Sequence, residues 1–254
     1  MRTLAGFTIV VTRPAEQNAE LAKALERRGA VVIEAPAIRL VPARSAELTR
    51  ALHELRNGEF PWITLTSRST VDMLASRLGS ARHVRARVAT IGDGTATAWR
   101  AWSRRAPDLR PKTFTTAALA RAFPRGTGRV LCPRADIAPE GLEDALERKG
   151  WTPVRVDAYR TTFPRALPPV ARAAFRDGVV DAVTFTSAST VRGFVQALRT
   201  GAKGNPKVVC IGPVTAREAR AHGLTVHAVA NPHTIDGLVS AVERALSPPA
   251  DRRR

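Results

Sequence analysis

The sequence predicts an α/β protein made of two similar domains, each a parallel sheet covered by helices. Three observations carry that expectation. The stretch "ITLTSRSTV" at 63–71 returns 120 residues later as "VTFTSASTV" at 183–191, with six of nine positions identical. Short runs rich in β-branched residues alternate with helix-period patterns, as expected of buried parallel strands. The repeated unit, about 120 residues long, exceeds any solenoid repeat and fits a duplicated domain.

The elements follow in order. "TIVV" (8–11) reads as a strand, and 15–28 as a helix that Gly29 closes. "AVVIEAP" (30–36) is the next strand. "WITL" (62–65) is a strand, followed by a helix with Val71, Leu74 and Leu78 on one face; Val191, Phe194, Val195 and Leu198 repeat that face. "RVATI" (87–91) and "KVVCI" (207–211) lead into helices near 95–102 and 215–222. The repeat also pairs "TRPAEQNAELAKALERRGA" (12–30) with "PRADIAPEGLEDALERKGW" (133–151), and "VATIGDGTATA" (88–98) with "VVCIGPVTARE" (208–218). Two arrangements remain open from these patterns. One puts 1–125 and 126–254 in tandem. The other returns the last third to the first strands, with the Pro-containing "RLVPARS" and "FPRALPP" as crossings.

Composition narrows the function classes. No run of 18 apolar residues occurs, and the opening "MRTLAGFTIVV" is too short for a signal-peptide core. Cys132 and Cys210 each sit in an apolar run and read as core thiols in a reducing compartment. The five histidines are scattered, so no metal site is expected. Net charge is +18, from 35 Arg and 5 Lys against 22 acidic residues, spread without blocks. That spread, and a single Tyr with dispersed Trp and Phe, argue against a nucleic-acid partner. The tail at 247–254 is expected to be disordered.

In open parallel sheets ligands bind beyond the carboxyl ends of the strands. Those ends carry a recurring set: Arg13 and Arg134; Ser67, Ser69, Ser187 and Ser189; Gly92, Thr95, Gly212, Pro213 and Thr215. Most precede a predicted helix start, where unpaired N–H groups and a partial positive charge favour anions. One Ser or Thr before a helix is ordinarily only an N-cap. Recurrence in both halves points to two donor-lined edges suited to a polycarboxylate. Asp93 and Asp136 have no counterpart in the other half and read as cap or turn residues. "GDGTAT" lacks the third glycine of a dinucleotide fingerprint. Tyr159 stands where the first half has Ile38, and reads either as a strand tyrosine or as a group facing the ligand.

Taken in order, "VVTRPAEQNAELAKALERRGA", "TLTSRSTVDML", "TIGDGTA", "VLCPRADIAPEGLEDALERKG", "VDAYRTT", "VTFTSASTVRGF", "CIGPVTAREARAHGL" and "NPHTIDGLVSAV" resemble the uroporphyrinogen-III synthase family over roughly 7–246. Ser69 stands where the family often has Asn, and Val214 where some members have a second Thr. The resemblance implies the crossed arrangement with flavodoxin-like domains: 1–38 plus 165–254, and 43–160, with linkers near 37–42 and 160–168 and the active cleft between the domains. It implies cyclisation of linear hydroxymethylbilane, with loss of water and inversion of the last ring, to give uroporphyrinogen III. Tyr159 then meets the departing hydroxyl, while Thr95 and Thr215, with Ser67, Ser69, Ser187, Ser189, Arg13, Arg134, Gly92, Gly212 and Pro213, hold carboxylate arms. It further implies a cytoplasmic monomer with no cofactor, no metal and no membrane partner, in transient contact with the enzyme that supplies the bilane. A non-catalytic tetrapyrrole- or anion-binding relative is the alternative reading, and a basic nucleic-acid binder the more remote one.

Overall fold

The computed structural model describes residues 3–198 and 204–247. The tail at 247–254, apart from Ser247, lies outside the described residues. The chain divides into two compact units, Met1–Arg39 with Thr162–Arg254, and Leu40–Thr161.

The first unit holds β1 (Thr8–Val11), α1 (Ala15–Glu26) and β2 (Val31–Glu34). It resumes with α7 (Pro169–Asp177), β8 (Ala182–Phe185), α8 (Ala188–Leu198), β9 (Lys207–Cys210), α9 (Pro213–Ala221), β10 (Val226–Val229) and α10 (Ile235–Leu246). Its sheet runs β10-β9-β8-β1-β2, with every pair parallel. In the order of the chain this is 2-1-3-4-5, the doubly wound order whose reversal point lies between the first and third strands. That point falls between β1 and β8. The β-branched runs "TIVV" and "AVTF" occupy these central strands because both faces are covered. α1 and α10 pack one face through Leu21, Leu25 and Leu238. α7, α8 and α9 pack the other through Phe175, Phe194 and Ala216. α8 comes so close to the chain at Ala37 that a Cβ on Gly193 would lie 1.9 Å from the Ala37 carbonyl oxygen.

The second unit holds β3 (Arg39–Pro42), α2 (Ala46–Asn57), β4 (Trp62–Leu65), α3 (Arg68–Leu78), β5 (Arg87–Thr90), α4 (Asp93–Ser103), α5 (Thr116–Ala122), β6 (Arg129–Ala135), α6 (Leu142–Glu147) and β7 (Thr152–Thr162). Its sheet runs β3-β7-β6-β4-β5. With β6 and β7 in the places of β1 and β2, the winding is the same, and the reversal lies between β6 and β4. A parallel bridge from Ala89 to Leu109 takes the place that β10 holds in the first unit. α2, α3 and α4 cover one face, with Leu48, Leu55, Leu74 and Trp99 buried. α5 and α6 cover the other, where Trp62 and Trp151 flank Phe123.

Three details differ from the sequence reading. α1 ends at Glu26, and Gly29, with φ of 93°, turns the chain toward β2. Residues 39–42, read as part of a linker, form β3. The bonds Ala43 N–H to Ala158 O and Thr162 Oγ1 to Arg39 O set β3 antiparallel to β7. Pro42 is tolerated because β3 is an edge strand. β6 runs on to Ala135, so Arg134 lies within the strand instead of after it. Among the described residues no helix is long and apolar enough to cross a membrane.

Candidate active site

The duplicated motifs fold alike. Burial along 91–100 and 211–220 matches at nearly every position, and Thr95 and Thr215 are both buried in the first turn of their helices. α4 starts after Gly92 and α9 after Gly212, each extended and each without a capping side chain. Their first N–H groups therefore lack a side-chain acceptor and can meet an anion. The Phe114 ring lies close over Gly92, where a Cβ would approach it to 3.1 Å. Pro213 occupies the first helical position, where its missing N–H is harmless.

At the reversal point of the first unit, Thr12 donates its hydroxyl to the Thr184 carbonyl at 2.7 Å, joining β1 to β8 just before Arg13. Arg13 is buried. Ser187 accepts from the Thr190 N–H at 3.1 Å, and its hydroxyl lies 2.9 Å from Ser189 Oγ. This hydroxyl set is satisfied within its own turn.

The equivalent place in the second unit is built differently. Ser67 caps α3, its Oγ accepting from the Thr70 N–H at 3.1 Å. The same oxygen lies 2.9 Å from Thr70 Oγ1 and 3.0 Å from Tyr159 Oη. Tyr159 reaches it because β7 carries a bulge. Arg134 pairs with Asp157 but Ala135 pairs with Tyr159, leaving Ala158 as the extra residue. Alternation breaks there: Val156, Ala158, Tyr159 and Thr161 are all buried, while Asp157 and Arg160 face out. The bulge thus turns the tyrosine onto the face covered by α3.

Burial pushes the Tyr159 phenol above its usual value, and the hydroxyls of Ser67 and Ser69 pull it back in part. Arg134 is 2% exposed. Its Nη1 donates to both oxygens of Glu143, each at 3.0 Å. Asp136 acts as a turn residue: its Oδ1 accepts from the N–H groups of Ile137 and Thr161, both at 2.9 Å. Ser67, Ser69, Arg134 and Tyr159 therefore form one cluster, with Gly92 and Thr95 at the neighbouring strand end. Glu143 and Thr12 were missed from the sequence. A glutamate in the first turn of a helix gives no sign that it faces a buried arginine. Among the described residues, no three His, Cys, Asp or Glu side chains converge.

A family model described as uroporphyrinogen-III synthase HemD matches residues 19–240. The chain belongs to the uroporphyrinogen-III synthase family. A relative is the uroporphyrinogen-III synthase of Synechococcus elongatus, 30% identical over 95% of this chain and 96% of that protein. Another is the porphyrin biosynthesis protein HemD of Ruminiclostridium josui, 30% identical over 94% of this chain but 48% of that longer protein. A crystal structure of a mutant uroporphyrinogen III synthase from Thermus thermophilus superposes with a TM-score of 0.65 at 20% identity, covering 94% of this chain and 98% of that one. This last likeness shows that the chain shares the fold of that synthase.

Proposed function

We propose that this chain closes linear hydroxymethylbilane into uroporphyrinogen III, with loss of water and inversion of the last ring. The observation that carries the site assignment is the Tyr159–Ser67 hydroxyl pair at the reversal point of the second unit. It puts a protonated phenol among donors on the edge where such sheets take their ligands. The family membership supports the reaction.

The chemistry asks little of acids and bases. Departure of the hydroxyl leaves a pyrrole-stabilised cation, which the far end of the same molecule attacks. Holding that chain in one reactive geometry can contribute about 7–11 kcal/mol at the limit. Single pre-aimed donors contribute about 3 kcal/mol. The uncapped starts of α4 and α9, with Thr95 and Thr215, are assigned to acetate and propionate arms. Ser69, Ser187, Ser189, Arg13 and Arg134 support them. Tyr159 donates its proton to the departing hydroxyl; a phenol held above its usual value is fully protonated at neutral pH. On this reading the chain acts in the cytoplasm as a monomer and receives its bilane from the enzyme upstream.

The test is an isomer assay with freshly prepared hydroxymethylbilane. The symmetric isomer forms without help, so only the asymmetric product counts. Wild-type protein should give the asymmetric isomer. Tyr159→Phe should lower its rate by about a hundredfold, and Thr215→Ala by about tenfold. Folded variants that both keep full turnover would refute these residue roles.

A further inference from the structure

The two Ser-x-Ser-Thr turns are copies in sequence, yet only one touches a tyrosine. In the first unit Thr190 donates its hydroxyl to the Ser187 carbonyl at 2.8 Å, and Ser187 closes on Ser189. In the second unit the proton count differs. Thr70 is fully buried, and among the described residues the acceptor for its hydroxyl is Ser67 Oγ at 2.9 Å. Ser67 Oγ already takes the Thr70 N–H. Two donors from Thr70 fill both lone pairs of that oxygen. The proton on Ser67 then has one place to go, Tyr159 Oη at 3.0 Å. The opposite sense, with tyrosine donating to Ser67, would leave the hydroxyl proton of a buried threonine without an acceptor, which is unfavourable.

We propose that Ser67 is a positioning residue: its hydroxyl donates to Tyr159 Oη, which directs the tyrosine proton toward the departing hydroxyl and steadies the charge left on the phenol oxygen. This rests on the reaction assigned above. The tyrosine proton sits toward Ser69 or passes to a hydroxyl arriving at the strand ends. In the step itself, the carbon–oxygen bond of the hydroxymethyl group breaks. The oxygen leaves with the electron pair, takes the Tyr159 proton and departs as water. The remaining cation bonds to the last ring at the carbon that already carries its methylene bridge. The old bridge bond breaks, the cation so released bonds to that ring's unsubstituted carbon, and the proton lost there restores the phenol. No oxidant or reductant is needed. The other groups acting on Tyr159 are Asp136, which opposes its ionisation, and Arg134, which favours it; both come from the end of β6. Glu143 on α6 offsets the arginine.

The chain has a single tyrosine. Carbon-13 label at the phenol carbon therefore gives one resonance, and its alkaline titration reports Tyr159 alone. In Ser67→Ala the midpoint should rise by about one pH unit and kcat should fall about tenfold, with KM within about twofold. Ser67→Thr should restore both. Ser187→Ala removes the matching cap from α8 and should leave the tyrosine titration in place, which separates the hydrogen bond from simple capping. Glycine is a tolerated N-cap, so Ser67→Gly serves as the same test if the alanine variant does not fold. A titration in Ser67→Ala or Ser67→Gly that coincides with wild type overturns the role of Ser67, as does a loss confined to KM. Wild-type protein that yields only the symmetric isomer overturns the reaction on which the proposal rests, whatever the titration shows.

Discussion

Replacing Glu143 with leucine should destabilise the second unit by about 3 kcal/mol, and adding Arg134→Met should recover most of that loss. The side chains are 3% and 12% exposed, with Nη1 at 3.0 Å from each carboxylate oxygen. At an effective dielectric near 20, charges at that distance attract by about 5 kcal/mol. Removing two ions from water costs several kcal/mol each, so the intact pair is close to neutral. Removing one partner leaves the other charge buried and alone, which costs about 3–5 kcal/mol. Among the described residues the buried Nε of Arg134 also has no acceptor, a cost that methionine removes. The assay is urea unfolding followed by tryptophan fluorescence. All four tryptophans, Trp62, Trp99, Trp102 and Trp151, lie in the second unit, so the signal reads that unit. Single-variant costs below about 1 kcal/mol, or costs that simply add in the double variant, would refute the buried pair. The double variant also asks whether Arg134 meets substrate: with stability restored, a raised KM would report a lost carboxylate contact.

Two further predictions address packing and pH. Gly193→Ala should unfold or severely weaken the first unit, because its Cβ would lie 1.9 Å from the Ala37 carbonyl oxygen, a backbone atom; circular dichroism or calorimetry must read this, since fluorescence does not report that unit. Burial pushes the thiols of Cys132 and Cys210 up to about 12, so neither should react with a disulfide reagent at pH 8 until the chain unfolds. The folded value exceeds the ordinary value of 9.0. The stability gained by keeping these thiols neutral is therefore complete below about pH 9 and lost as pH rises toward 12. Cys→Ser at both positions should flatten the alkaline end of the stability curve; an unchanged curve would refute the assignment.

Much of the fold was legible in the sequence for a local reason. A strand buried on both faces must be apolar throughout, so "TIVV" and "WITL" declare their limits, and β1 and β4 begin and end where those runs do. Edges were harder to read. β3 is short, mostly exposed and ends on a proline, and β6 runs on through Pro133 and Arg134, where the apolar signal has stopped. The candidate donors were legible because they recur, and duplicated turns fold to duplicated burial.

The sequence by itself determined the winding units, their duplication and the hydroxyls and glycines at the strand ends, because periodicity and capping are properties of neighbouring residues. Only the tertiary structure decided which donors work together. The bulge at Ala158 aims Tyr159 at Ser67 from 92 positions away, and α6 brings Glu143 onto Arg134. Such pairings depend on strand register and helix packing, and no local pattern encodes them.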